Sequence, residues 1–120
     1  MREIKFRAWD TKSESMEYEI AIGKGYGEDS YILFLGLGET FIIDDDIVKI
    51  MQYTGLKDKN GVEIYESDIV KNNQGKISQI NFIEDYAKYE AFDEDFSWVV
   101  SDTFEVIGNI YEDSHLLDNN

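Results

Sequence analysis

The 120-residue chain has no cysteine, no proline and a single histidine. The lack of cysteine excludes disulfide bonds, thiolate zinc sites and cysteine nucleophiles, and one histidine argues against histidine-rich metal clusters and histidine-based catalysis. No window approaches the roughly 18 consecutive apolar residues of a membrane span, and the N-terminus lacks a signal-peptide hydrophobic region. We therefore expect a protein that stays in the cytoplasm where it is made and has no membrane partner.

Basic residues are also scarce, because 11 Lys and Arg face 26 Asp and Glu, for a formal charge of −15. Such a charge disfavours binding to nucleic-acid phosphates or anionic lipid, so direct nucleic-acid binding is not expected. The first 12 residues nevertheless carry a net charge of +2. This basic strip within an acidic body leaves homo-oligomer formation open.

Hydrophobic residues make up 42% of the chain and aromatic residues 14%, which is enough to build a core in a domain of this size. The length predicts one domain over residues 1–120. Within it we expect an N-terminal hairpin region at about 1–50 and a C-terminal barrel-like region at about 51–112.

Alternation with a period of two dominates the apolar pattern. Residues 2–9 predict a half-buried strand whose inward face carries Ile4, Phe6 and Ala8. The opposite, outer face then carries Glu3, Lys5, Arg7 and Trp9. Residues 16–22 place an apolar side chain at every second position and predict an antiparallel return strand. The hydrophobic spacing therefore favours strands over helices in the first part of the chain.

Two turn signals lie in the second half of the chain. Residues 58–61 read Asp-Lys-Asn-Gly and predict a hairpin with positive φ at Gly61, and residues 72–75 predict a second hairpin. Short strands at regular spacing are typical of small barrels. The predicted fold class is mainly β, with antiparallel strands forming a small barrel-like domain with long hairpins and little helix.

No pattern typical of a catalytic or cofactor site is complete. The glycine-rich residues 23–28 match neither a dinucleotide fingerprint nor a phosphate-binding loop, and the acidic runs at 44–46 and 93–95 lack the glycine and glutamate of a calcium loop. His115 has Asp113 and Ser114 as near neighbours, a spacing that cannot align a catalytic triad. We therefore predict no catalytic, cofactor or metal residues and no enzymatic activity.

Three segments carry a resemblance to a known family. They are residues 1–10 (MREIKFRAWD), 52–70 (QYTGLKDKNGVEIYESDIV) and 105–112 (EVIGNIYE). Together and in this order, they resemble the YopX family of bacteriophage and prophage proteins. Residues 13–50 and 72–103 carry no such signature.

The resemblance implies a mostly β protein made from a phage or prophage in the cytoplasm of a bacterial host cell, in a family without an established activity. The family usually has glycine where this chain has Ser67, and Asn-Pro-Glu where it has residues 113–115. The signature residues also have a structural explanation, since Gly61 fits a special backbone position and Asp68 is suited to bond turn amides.

The acidic segments are the remaining candidates for a functional surface. The sequence of residues 84–95 is compatible with one turn of helix or with a loop. In this segment aromatic side chains alternate at intervals with acidic ones. We predict a non-enzymatic protein-binding module for a host or phage protein with a basic surface. The candidate binding residues are Asp44, Asp45, Asp46, Glu84, Asp85, Glu90, Asp93, Glu94, Asp95 and Trp98.

Two alternatives stay open. The first is a nucleic-acid mimic that inhibits a host DNA- or RNA-binding protein, because clustered carboxylates resemble the charge spacing of a duplex. The second is a homo-oligomeric structural or assembly protein, in which the basic strip of one copy meets the acidic body of another.

Overall fold

The computed structural model describes residues 4–18, 20–24, 30–34, 39–42, 48–83, 88–92, 97–99 and 103–118. The strands in chain order are β1 (Phe6–Asp10), β2 (Ser15–Glu17), β3 (Ile20–Lys24), β4 (Ser30–Phe34), β5 (Glu39–Ile42), β6 (Val48–Lys57), β7 (Glu63–Tyr65), β8 (Asp68–Lys71), β9 (Ile77–Ile83), β10 (Lys88–Phe92), β11 (Ser97–Val99) and β12 (Glu105–Asn109). One short helix, α1 (His115–Asp118), follows. No helix among these residues is long and apolar enough to cross a membrane.

The chain divides into two compact units, residues 5–52 and residues 1–4 with 53–120. Strand β6 contributes to both, because residues 48–52 pair with β1 and later β6 residues pair with β7. The prediction that the chain folds as one cooperative domain stays a prediction.

In the unit of residues 5–52, β1 lies between β2 and the first half of β6, and β3, β4 and β5 form a meander. Its core is formed by the buried side chains of Ala8 and Val48, with Ile20 and Ile50 packed against them. The single antiparallel strand predicted for residues 16–22 is divided between two strands. Strand β2 pairs with β1, whereas β3 pairs with β4.

The prediction of a half-buried β1 is wrong. Ile4, placed on the inward face, is 71% exposed, whereas Arg7 and Trp9 of the expected outer face are 3% and 7% exposed. Arg7 Nε donates to Met51 Sδ at 3.3 Å, and its guanidinium carbon lies 5.9 Å from the ring centroid of Tyr18. Arg7, Ala8 and Trp9 are consecutive and all buried, so side chains on both faces of β1 are covered, and the long Arg7 stem packs as an apolar side chain.

The unit of residues 1–4 and 53–120 contains a five-stranded antiparallel sheet in the order β11-β10-β9-β8-β12, together with the β6–β7 hairpin. Its core cluster joins Ile64, Val70, Ile80 and Phe104, with Val106 packed against it. The described chain is mainly antiparallel strand with almost no helix, and one of its sheets is a curled half-barrel. The predicted mainly β, barrel-like fold class is confirmed.

Both predicted hairpins of the second half are present, β6–β7 around residues 58–61 and β8–β9 around residues 72–75. The sequence leaves the conformation of residues 84–95 open between a helical turn and a loop, and residues 88–92 adopt neither, because they form strand β10. Neighbouring β9 and β11 supply hydrogen-bond partners on both sides of this segment, which favours the extended conformation.

Candidate functional site

The predicted acidic binding residues lie largely outside the described part of the chain. This holds for residues 44–46, 84–85 and 93–95. Glu90 lies on β10, where it pairs with Val99 of β11, and Trp98 lies on β11 opposite Ala91 of β10. The structure thus places Glu90 and Trp98 on neighbouring strands.

In the sequence, acidic residues lie immediately before and immediately after strand β10. Residues 84–87 precede it and residues 93–96 follow it, with β9 and β11 antiparallel on either side. A five-residue strand is about 14 Å long, so the two bordering ends of β10 are separated by about that distance.

The carboxylate of Asp58 is buried at the tip of the β6–β7 hairpin, where the side chain is 5% exposed. Its Oδ1 accepts hydrogen bonds from the backbone N–H groups of Asn60 at 2.8 Å and Val62 at 2.9 Å. Its Oδ2 accepts from the N–H of Val106 on β12 at 2.9 Å. One side chain therefore closes the turn and also ties it to a strand 48 residues later.

The backbone of the same tip is hydrogen-bonded throughout. The N–H of Asp58 donates to Val62 O at 2.7 Å, and the N–H of Gly61 donates to Asp58 O at 3.0 Å. Gly61 has φ 83°, as predicted, which completes a type I turn followed by a left-handed residue. The N–H of Lys59 donates to Phe104 O at 2.9 Å and adds a second link to the segment that enters β12.

These contacts set the ionisation of Asp58. Burial raises the pKa of the carboxyl, but the N–H groups of Val106, Val62 and Asn60, helped by the charge of Lys59, outweigh burial and hold the pKa below its ordinary value of 3.8. Asp58 is therefore held as a carboxylate, with both oxygens engaged by backbone amides. It is an anchor and has no free oxygen directed at a substrate.

The β8–β9 turn repeats the local pattern of the Asp58 turn. The N–H of Asn72 donates to Lys76 O at 2.8 Å, and the N–H of Gly75 donates to Asn72 O at 3.0 Å. Asn72 Oδ1 accepts from the N–H groups of Gln74 and Lys76, both at 2.9 Å. Gly75 has φ 84°. Asn72 thus does in this turn what Oδ1 of Asp58 does in the other.

Thr54 stabilises an irregularity earlier in β6. Its hydroxyl donates to Ile64 O at 2.7 Å and accepts from the N–H of Leu56 at 3.2 Å. The register between β6 and β7 shifts at this point, with Tyr53 paired to Tyr65 before the shift and their ring centroids 5.5 Å apart. The threonine hydroxyl replaces ladder hydrogen bonds that the shift interrupts.

Asp68 closes the short turn between β7 and β8. The side chain is buried, and its Oδ2 accepts from the N–H of Tyr65 at 2.7 Å, so the predicted bonding of turn amides is confirmed. Ser67, which stands where the family usually has glycine, has φ 69°. Its N–H donates to Ile80 O at 2.9 Å, and its carbonyl accepts from the N–H of Ile110 at 3.0 Å.

Asn109 organises the loop after β12. Its Oδ1 accepts from the N–H groups of Tyr111 and Glu112, both at 3.0 Å, and its Nδ2 donates to Glu112 Oε2 at 2.8 Å. The N–H of Asn109 in turn donates to Asp113 Oδ2 at 3.1 Å. The side chain is buried, and it replaces the strand hydrogen bonds that end at this residue.

Four polar side chains of the signature segments, Thr54, Asp58, Asp68 and Asn109, thus bond backbone groups of turns, bulges and strand ends. Within the described ranges, no group of three His, Cys, Asp or Glu side chains lies close enough together to hold a metal ion. The arrangement is suited to fixing the path of the backbone. The chemistry that it offers a ligand directly is hydrogen bonding and charge.

The sequence analysis missed two structural roles. Asp58 was recognised as part of a turn but not as a link to Val106, because nothing local in the sequence reveals a contact to β12. The capping role of Asn109 was also missed, although an asparagine after a strand and before a polar loop is a known signal for a side-chain turn.

Comparison with known proteins places these features in a family. The family model described as YopX protein matches residues 5–118. The crystal structure of protein EF1440 from Enterococcus faecalis is similar with a TM-score of 0.71 and 29% identity, over 98% of this chain and 99% of that one. Protein yopX from Bacillus subtilis is similar in fold, with a TM-score of 0.63 and 19% identity over 97% of this chain and 98% of that one. No curated protein matches the sequence. On the match over residues 5–118, the chain belongs to the YopX family.

Proposed function

We propose that the chain is a phage- or prophage-encoded protein-binding module without enzymatic activity. It binds a basic surface of a host or phage protein through its acidic residues, chiefly residues 44–46 and 84–95. The observation that carries this proposal is the concentration of negative charge in segments outside the family signature, whereas the signature residues Asp58, Asp68 and Asn109 bond backbone amides.

The first support comes from the signature segments themselves. Asp58 and Asp68 are buried and bonded to backbone amides, and Asn109 bonds its own loop. A catalytic carboxylate needs an oxygen within reach of a substrate proton or reacting carbon. Both oxygens of Asp58 are occupied by amides, which favours a scaffold role for the most recognisable part of the sequence.

The second support comes from charge. Residues 84–95 contain six acidic residues and one lysine, and residues 44–46 are three consecutive aspartates. Clustered charge of one sign speeds encounter with an oppositely charged partner and makes association depend on ionic strength. Segments between scaffold elements are where binding residues commonly lie.

The test is a triple charge reversal, Asp93→Lys, Glu94→Lys and Asp95→Lys. A protein captured from bacterial host lysate by the wild type and eluted by salt is identified, purified, and used in association kinetics. We expect slower association, about tenfold at low salt, and a flatter salt dependence, because the reversed charges act mainly on the encounter rate.

A matched control makes the same change of charge elsewhere. Glu14→Lys, Glu17→Lys and Glu66→Lys alter three partly or fully exposed acids outside the acidic runs. The control should retain most of the wild-type association rate. Equal association of the wild type and the 93–95 variant would refute the proposal, as would turnover of a substrate that is lost on changing a single carboxylate.

A further inference from the structure

The tip of the β6–β7 hairpin combines an asparagine and a glycine in an exposed turn. Asn60 and Gly61 are both exposed, and Gly61 has φ 83°. Because glycine has no Cβ, its backbone nitrogen is the least hindered of all residues to approach the side-chain carbonyl carbon of a preceding asparagine. We propose that Asn60 is a site of spontaneous deamidation and that the Asp58 turn holds this reaction back in the folded protein.

The reaction consumes water and releases ammonia. The deprotonated backbone nitrogen of Gly61 attacks Cγ of Asn60, the bond from Cγ to Nδ2 breaks, and Nδ2 leaves as ammonia with protons from solvent. Water then opens the cyclic imide. Hydrolysis of the bond from Gly61 N to Cγ gives aspartate, and hydrolysis of the bond from Gly61 N to the backbone carbonyl carbon gives isoaspartate.

The folded turn opposes the first step. The N–H of Gly61, which must lose its proton and move, donates to Asp58 O at 3.0 Å. The N–H of Asn60 is held by Asp58 Oδ1 at 2.8 Å, and Asp58 Oδ2 is fixed to the N–H of Val106. Closing the five-membered ring turns the peptide plane between Asn60 and Gly61 and breaks the hydrogen bond from the Gly61 N–H to Asp58 O. The Asp58 carboxylate holds the residues around this peptide group in place, so the attack requires local opening of the turn.

Deamidation changes both charge and backbone at the tip. Aspartate at position 60 adds a negative charge beside the exposed Lys59. Isoaspartate also inserts a methylene into the main chain, so the N–H of Gly61 and the N–H of Val62 no longer meet their acceptors on Asp58. We therefore expect the isoaspartate form to lose the link from the hairpin tip to β12.

The chain supplies its own internal references. The matching turn has Gln74 before Gly75, and glutamine forms the larger ring slowly, so that position should remain unmodified. Asn73 is exposed like Asn60 but is followed by Gln74, whose side chain hinders attack by its nitrogen. Modification confined to Asn60 separates a reaction of the Asn-Gly pair from general damage during storage.

The experiment follows deamidation by peptide mass spectrometry in the full-length protein at mildly alkaline pH. Samples are the folded wild type, the wild type denatured in urea, and the folded variant Asp58→Asn. We expect the folded wild type to react about tenfold more slowly than the denatured protein, since the hydrogen bond of the Gly61 N–H must open first. The Asp58→Asn variant should lie between them, with isoaspartate exceeding aspartate at Asn60.

Two results would overturn the proposal. One is a folded wild type that deamidates Asn60 as fast as the denatured chain, which would show that the turn gives no protection. The other is no modification of Asn60 in urea while Asn73 reacts. If Asp58→Asn fails to fold, the comparison of folded and denatured wild type alone decides the outcome.

Discussion

The turns at Asp58 and Asn72 share a local hydrogen-bond pattern but differ in their surroundings. In each, one side-chain oxygen accepts from the N–H groups two and four residues later, and a left-handed glycine completes the turn. Asp58 uses its second oxygen to hold Val106, 48 residues away, whereas Asn72 has an amide nitrogen at that position and makes its described acceptor contacts within its own turn.

The comparison separates what a turn needs locally from what the fold needs globally. An asparagine or aspartate at the first position suffices to close the turn in either hairpin. A second acceptor oxygen, which aspartate has and asparagine lacks, is needed where the N–H of another strand must also be bonded. An N–H that is shielded from water and has no acceptor is costly.

The largest effect is expected from exchanging the two side chains. Asp58→Asn keeps Oδ1 but places an amide nitrogen against the N–H of Val106, so we expect a loss of about 2 to 3 kcal/mol in the free energy of unfolding. Asn72→Asp should change it by no more than about 0.5 kcal/mol because the turn is exposed. Urea denaturation of both variants measures the difference in the free energy of unfolding. Equal losses would show that the second oxygen of Asp58 adds no stability beyond its own turn.

The pH dependence of stability should also distinguish the turns. Because the folded pKa of Asp58 lies below its unfolded value near 3.8, its stabilisation is present above that value and is lost as the pH falls through the folded pKa. The stability gap between wild type and Asp58→Asn should therefore narrow below about pH 4. The gap between wild type and Asn72→Ala should stay constant over the same range. If both stability gaps changed with pH in the same way, the link between acid sensitivity and the Asp58 carboxylate would be contradicted.

Backbone strain should affect both turns alike. Gly61 and Gly75 have φ 83° and 84°, and a Cβ built at either position meets nothing within 4 Å. Gly61→Ala and Gly75→Ala should each cost about 1 kcal/mol, because the left-handed conformation alone is penalised. Thermal melts give the comparison. A cost near zero at Gly61 would mean that its backbone relaxes despite the link to β12.

The smallest effect concerns a third turn, in which a serine has the left-handed conformation. Ser67 has φ 69°, and its backbone N–H and carbonyl are both hydrogen-bonded. Ser67→Gly relieves the strain and should stabilise the protein by about 0.5 kcal/mol after the entropy cost of glycine in the unfolded chain. Chemical denaturation should show a higher midpoint with an unchanged slope. A destabilised variant would indicate that the serine hydroxyl has a contact worth more than the strain.

The sequence predicted what depends on local pattern. The hairpins at residues 58–61 and 72–75, the left-handed Gly61 and the mainly β class follow from turn chemistry and alternation. The burial of Arg7 and Trp9 could not be predicted, because it depends on what packs against their face of β1, and the local sequence does not reveal this. The link from Asp58 to Val106 was equally inaccessible, since a contact between residues 48 apart leaves no local signal.

The candidate binding residues could be predicted only as acidic segments. Charge is read directly from the composition, whereas the position of each carboxylate depends on the paths of the connecting segments. The described strands place Glu90 on β10 and Trp98 on β11 but leave residues 44–46 and 93–95 outside the described ranges. The binding role therefore stays a proposal that rests on charge.

The most direct test of a scaffold that is separate from a binding surface is one experiment on two variants. Association with the captured basic partner is measured at low and moderate salt for Asp58→Asn and for the 93–95 charge reversal, beside a melt of each. We expect Asp58→Asn to melt lower yet associate at the wild-type rate per folded molecule, and the charge reversal to melt normally yet associate slowly. Slow association of folded Asp58→Asn with normal association of the charge reversal would contradict the account.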